Sequence, residues 1–145
     1  MIGIVTMVKI PKNSLYLNMR YFWTLIFLVS SLSWGQQTYY SPYSIHLPTE
    51  TIEKIPRVIK ISEEMIRIES DAGNGLTDVQ IMVVQSKEIN IDDYTSFTYY
   101  QCTSEDGVFP SVVIIEENPS FIDVIQPSKT QGQEDVFRLV LEQYN

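Results

Sequence analysis

From Arg57 onward the chain alternates apolar and polar residues with a period of two, in short runs divided by turn-forming residues. Arg57-Val58-Ile59-Lys60-Ile61 puts Ile59 and Ile61 on one face and Lys60 on the other, the pattern of a half-buried strand. Glu64-Met65-Ile66-Arg67-Ile68-Glu69 repeats it, with Ile66 and Ile68 inward. Only Ser62-Glu63-Glu64 separates the two runs, so they predict a tight hairpin. Asp71-Ala72-Gly73-Asn74-Gly75 predicts the next turn, because glycine and asparagine accept positive φ. Thr77–Gln85 is a third strand with Val79, Ile81 and Val83 on one face and Met82 and Val84 on the other, a pattern that predicts burial on both sides. Ser86–Tyr94 reads as a polar loop.

Thr95–Thr103 is rich in aromatic and β-branched residues and predicts a fourth strand. Ser104-Glu105-Asp106-Gly107 turns the chain into Val108–Ile115, where Pro110 predicts an edge strand or a bulge. Glu116-Glu117-Asn118-Pro119 leads to a sixth strand at Ser120–Gln126, and Pro127–Gln133 reads as a loop. In Asp135–Gln143 the alternation of Phe137, Leu139 and Leu141 predicts a last strand, although Val136, Leu139 and Val140 also fit a helical stripe. Upstream, Gln36–Pro56 holds Pro42, Pro48 and Pro56, which exclude a long helix and predict an extended lead-in. The sum is a mainly β fold: an antiparallel meander of six or seven strands over residues 57–145, a small barrel or a sandwich.

The first 35 residues follow a different rule. Arg20 precedes an apolar run from Tyr21 to Leu32, and Ser33-Trp34-Gly35 ends it with small residues at the −3 and −1 positions of a cut before Gln36. A basic start, a short apolar stretch and a small-x-small end predict a cleaved signal peptide. The run is shorter than the about 20 apolar residues a spanning helix needs, so no membrane span is expected after cleavage. Met19-Arg20 makes an ordinary signal start, and residues 1–18 read as upstream sequence ahead of the true initiator.

Charge divides at the same place. Residues 1–35 hold Lys9, Lys12 and Arg20 and no acid, whereas all 18 carboxylates lie beyond them with seven basic residues, a net charge of −11. Such a part repels phosphate backbones, so no nucleic-acid partner is expected. Cys102 is the only cysteine, so no intramolecular disulfide forms. An exported domain without disulfides fits a bacterial periplasm or extracellular medium better than an animal secretory route.

The chemistry-bearing residues are sparse. His46, the only histidine, has no carboxylate close to it in sequence, and Cys102 reads as a small buried thiol. The pairs Glu63-Glu64, Glu105-Asp106 and Glu116-Glu117 fall at predicted turns, where solvated acids are ordinary. No glycine-rich phosphate loop, zinc spacing or nucleophile elbow occurs, so no catalytic residue, metal ligand or cofactor is assigned. Tyrosines are the suggestive feature. Tyr39, Tyr40 and Tyr43 precede the sheet, and Tyr94, Tyr99 and Tyr100 gather at the fourth strand and are the candidate ligand-binding residues. Tyr99 and Tyr100 are adjacent and point to opposite faces, so at most one lines a given pocket. These features predict a non-enzymatic exported binding module of the bacterial envelope, whose partner is a small apolar ligand or a protein. A structural subunit of a surface assembly and a small carboxylate-dependent hydrolase are the competing expectations.

Overall fold

A computed structural model of the chain describes residues 35–143. The proposed signal segment and its upstream extension lie outside the described residues, apart from Gly35. Among the described residues there is no helix. Ten strands form one antiparallel sheet that curls into a half-barrel. They are β1 (Gln37–Ser41), β2 (Tyr43–His46), β3 (Thr51–Glu53), β4 (Arg57–Ile61), β5 (Met65–Gly73), β6 (Leu76–Ile91), β7 (Ser96–Ser104), β8 (Pro110–Glu116), β9 (Phe121–Pro127) and β10 (Glu134–Val140). The spatial order is β1-β4-β5-β6-β7-β8-β9-β10-β2-β3, a seven-strand meander flanked by strands from the N-terminal stretch.

The strand count corrects the expected six or seven, because residues 37–53 supply three strands of the same sheet. β1 pairs with β4 at one end of the meander and β2 with β10 at the other, although only Pro42 separates them. Proline has no N–H for a ladder, so pairing breaks there and the chain bends from one partner to the next. The Ser41 hydroxyl, fully buried, donates to the Tyr43 carbonyl (2.8 Å) and holds the bend. The Glu142 amide donates to the Tyr40 carbonyl (3.0 Å), tying the chain beyond β10 to β1.

Alternation explains the core. Ile59 and Ile61 on β4, Ile66 and Ile68 on β5, Met82 on β6, Tyr100 and Cys102 on β7, Val113 and Ile115 on β8, Ile122 and Val124 on β9, and Leu139 on β10 are buried in one cluster on the inner face. Each fully buried aliphatic side chain contributes about 1.5–3 kcal/mol relative to exposure. Between β5 and β6, Gly73, Asn74 and Gly75 have φ of 81°, 53° and 73°, and Asp71 Oδ1 accepts from the Gly73 amide (2.9 Å). Here the left-handed backbone is required, and glycine and asparagine adopt it at least cost.

Three further expectations are corrected. Ser86–Ile91 is strand: β6 runs on past a bulge between Val84 and Ser86, where Gln85 is the extra residue opposite Cys102 and Gln101. Val79, Ile81 and Val83 lie outside, with Val79 40% exposed, and on the inner face of β6 Met82 is buried with Val84 packed beside it, so the strand is not buried on both sides. Pro110 marks no edge: β8 sits between β7 and β9, and the proline is its first residue, where a missing donor costs little. Glu134–Val140 is a strand, as the alternation of Phe137 and Leu139 predicts.

Candidate functional site

In a meander, alternate hairpins lie at opposite ends, so the half-barrel has two mouths. The turns β4–β5, β6–β7 and β8–β9 surround one, and the turns β5–β6, β7–β8 and β9–β10 surround the other. The first mouth holds a cavity of about 590 Å³. Its wall is built by the bulge at Gln85. Ahead of it Gln80, Met82 and Val84 point inward, and an unbroken ladder would continue with Ser86 and Glu88. The extra residue reverses the parity, so Lys87, Ile89 and Ile91 face inward opposite Tyr100, Thr98 and Ser96.

Of the three candidate tyrosines, Tyr94 and Tyr100 line this cavity and Tyr99 does not. Tyr100 is 6% exposed on the inner wall, and Tyr94, 98% exposed, stands on the rim. Tyr99 lies on the outer face, between Glu88 and Ile114. Tyr39 on β1, which sequence grouped with Tyr40 and Tyr43, is the third tyrosine of the mouth, and its hydroxyl donates to Gln37 Oε1 (3.1 Å). Burial raises the pKa of both Tyr39 and Tyr100, and each keeps its proton past the usual tyrosine range. Lys87 Nζ donates to Glu63 Oε1 (2.9 Å) and lies 5.8 Å from the centre of the Tyr100 ring. The hydrogen bond to Glu63 holds its ammonium above the ordinary lysine pKa. Asp92, Asp93, Glu116 and Glu117 complete the rim, four carboxylates against one ammonium. Two large apolar side chains remain in water there, Ile89 at 57% and Ile91 at 81% exposure. Below them Cys102 is buried, and burial pushes its thiol up to about 11, which leaves it protonated and unreactive near neutrality.

The second mouth is polar. Arg57, at the start of β4, points inward on the row of Ile59 and Ile61 and donates to Ser44 Oγ (3.1 Å) and to the Ile55 carbonyl (3.0 Å). It also pairs with the Glu53 carboxylate. A cavity of about 200 Å³ opens beside it, between the amides of Gln80 and Gln126 and the ring of Phe137.

Sequence reasoning missed one cluster. The β2–β10 register sets His46 opposite Phe137, and it brings Asp135 Oδ1 within 3.0 Å of His46 Nε2. His46 Nδ1 lies 2.6 Å from Thr49 Oγ1, which in turn lies 2.8 Å from Thr51 Oγ1. Hydroxyl, imidazole and carboxylate in a row is the order of an acyl-transfer triad. Here the hydroxyl sits in the β2–β3 turn outside both cavities and is already bonded to Thr51, so the row pins that turn. No local pattern signals a pair 89 residues apart. Among the described residues, no three acidic, histidine or cysteine side chains converge as a metal site requires, and no helix is long and apolar enough to cross a membrane. No family model matches the chain, and no curated protein or solved structure matches it.

Proposed function

We propose that the protein is a non-enzymatic exported binding module of the bacterial envelope, which takes an apolar small molecule or a protein segment in its tyrosine mouth. The observation that carries this reading is the cavity of about 590 Å³ walled by Tyr39, Tyr100, Ile89 and Ile91 beneath the exposed ring of Tyr94. Concave sites with apolar walls and a few polar groups are the usual form of ligand pockets. Ile91 and Tyr94 gain from any partner that covers them, because apolar surface leaves water on binding. The leader pattern of residues 19–35 supports export.

Native mass spectrometry of the protein recovered from its host's envelope fraction tests this directly. A species that starts at Gln36 and carries added mass is the expected result. Tyr94→Ala lowers the occupied fraction, and Tyr99→Ala, on the outer face, leaves it unchanged. Equal occupancy in Tyr94→Ala and the parent protein overturns the site.

A further inference from the structure

The second mouth carries a ligand chemistry of its own, independent of the tyrosine mouth. Two cavities, of about 200 and 240 Å³, share Gln80 and Gln126 as a common wall. Ser111 lines the second of them. It is 7% exposed, and its Oγ has no hydrogen-bond partner among the described residues. A buried hydroxyl without a partner costs stability unless a bound group satisfies it.

The polar groups of this mouth are mixed and mostly neutral. Gln80 and Gln126 each offer an amide that donates twice and accepts at one oxygen, and Ser70 adds a hydroxyl on the first cavity's wall. The one cation, Arg57, is engaged by Glu53, Ser44 and a carbonyl, and Asp78 stands on the same wall. An anion therefore meets a neutralised arginine and a nearby carboxylate, and a cation meets that carboxylate beside Arg57. The Ser111 cavity itself is lined by no charged side chain, and Met82, Phe109 and Pro110 give it apolar walls. The cavity that Ser111 lines, of about 240 Å³, has room for about eight waters at about 30 Å³ each, a space similar to that of one sugar ring.

We propose that the Ser111 cavity of this mouth binds a neutral, hydroxyl-rich ligand, a single saccharide unit, with Gln80 and Gln126 bonding its hydroxyls, Ser111 satisfied at depth and Phe109 against an apolar face of the ring. Side-chain amides that donate and accept at once match vicinal hydroxyls, which do the same. The unit is either a free sugar or the end residue of a glycan.

The test is a ¹⁵N NMR titration of the protein with D-glucose, N-acetyl-D-glucosamine and methyl α-D-glucopyranoside, each to about 20 mM, the range in which weak mM binding is read. The side-chain amide signals of Gln80 and Gln126 shift saturably with at least one sugar, while the backbone amides of Ser96 and Thr98 in the tyrosine mouth stay in place. Binding of the methyl glycoside assigns the site to the end of a glycan, and binding of the free sugars alone assigns it to a free monosaccharide. Gln126→Ala weakens binding about tenfold, the loss expected for one well-made hydrogen bond. Gln80→Ala, at an exposed position, provides the same readout with no risk to folding. Inorganic phosphate and spermidine serve as charged probes. The proposal is overturned if no sugar moves the two glutamine signals, if a charged probe moves them instead, or if both alanine variants retain full affinity with dispersed spectra.

Discussion

The two mouths of the half-barrel share one belt of aliphatic side chains and differ in everything above and below it. The tyrosine mouth is wide, aromatic and rimmed with acids. The opposite mouth is narrow and lined by amides, hydroxyls and a paired arginine. The difference arises from register. At the polar end an unbroken ladder carries the inward parity of Ile68 and Met82 to Ser70 and Gln80. At the aromatic end one extra residue, Gln85, exchanges Ser86 and Glu88 for Lys87, Ile89 and Ile91 on the inner face. A single bulge thus decides whether a mouth presents apolar or polar side chains to a ligand.

If the belt is common to both mouths, an interruption in it disables both. Ile59→Ala, at a fully buried position, lowers stability by about 2–5 kcal/mol. Urea unfolding measures this, and a loss below about 1 kcal/mol shows that the belt is not the common support.

Alkaline pH acts on the belt from the aromatic side. The Cys102 thiol is raised from 9.0 to about 11 by burial, so the folded state holds that proton more tightly than the unfolded one. Its contribution is fully present below pH 9 and declines as pH rises to 11, by roughly 2 kcal/mol. Tyr39 and Tyr100 are raised by burial as well and act with the same sign at higher pH. In Cys102→Ala the fall in stability between pH 9 and 11 is shallower than in the parent, by thermal melts across that range. Identical slopes contradict the assignment.

Arg57→Ala sharpens the comparison at the polar end. It leaves Ser44, 2% exposed, without its charged donor, while Glu53 is open to water, and the cost is about 1–2 kcal/mol. The tyrosine mouth is untouched, and its backbone amide signals stay in place. Shifts at Ser96 or Thr98 break the independence of the two ends. The smallest effect belongs to Tyr94→Ala: a ring 98% exposed packs on little, so stability changes by less than about 0.5 kcal/mol while ligand occupancy falls.

The meander from Arg57 was legible residue by residue, because period-two alternation of Ile59, Ile61, Ile66 and Ile68 has one physical solution when one face is dry. Hairpins at Ser62–Glu64 and Gly73–Gly75 were legible from residue types suited to turns. The stretch before Arg57 was not. Its prolines signal breaks in pairing, and nothing local says that the pieces on either side of Pro42 pair with β4 and β10. Ser86–Tyr94 reads as a loop because its composition is mostly polar, and the parity reversal at Gln85 is hidden by apolar residues on both faces of the run before it. Of the candidate tyrosines, alternation separated Tyr99 from Tyr100, but it did not say which of the two faces the interior.

What the sequence determined by itself is local: strand character, turn positions, the facing of each side chain relative to its neighbours, and the division of charge at residue 35. These depend on steric preference and periodicity within a few residues. Only the tertiary structure decided which strands pair across the bend at Pro42, that Asp135 reaches His46, and that Tyr39, Tyr94 and Lys87 share one mouth while Arg57, Gln80 and Gln126 share the other. Those placements depend on long-range register, which the closure of the sheet around its aliphatic belt selects.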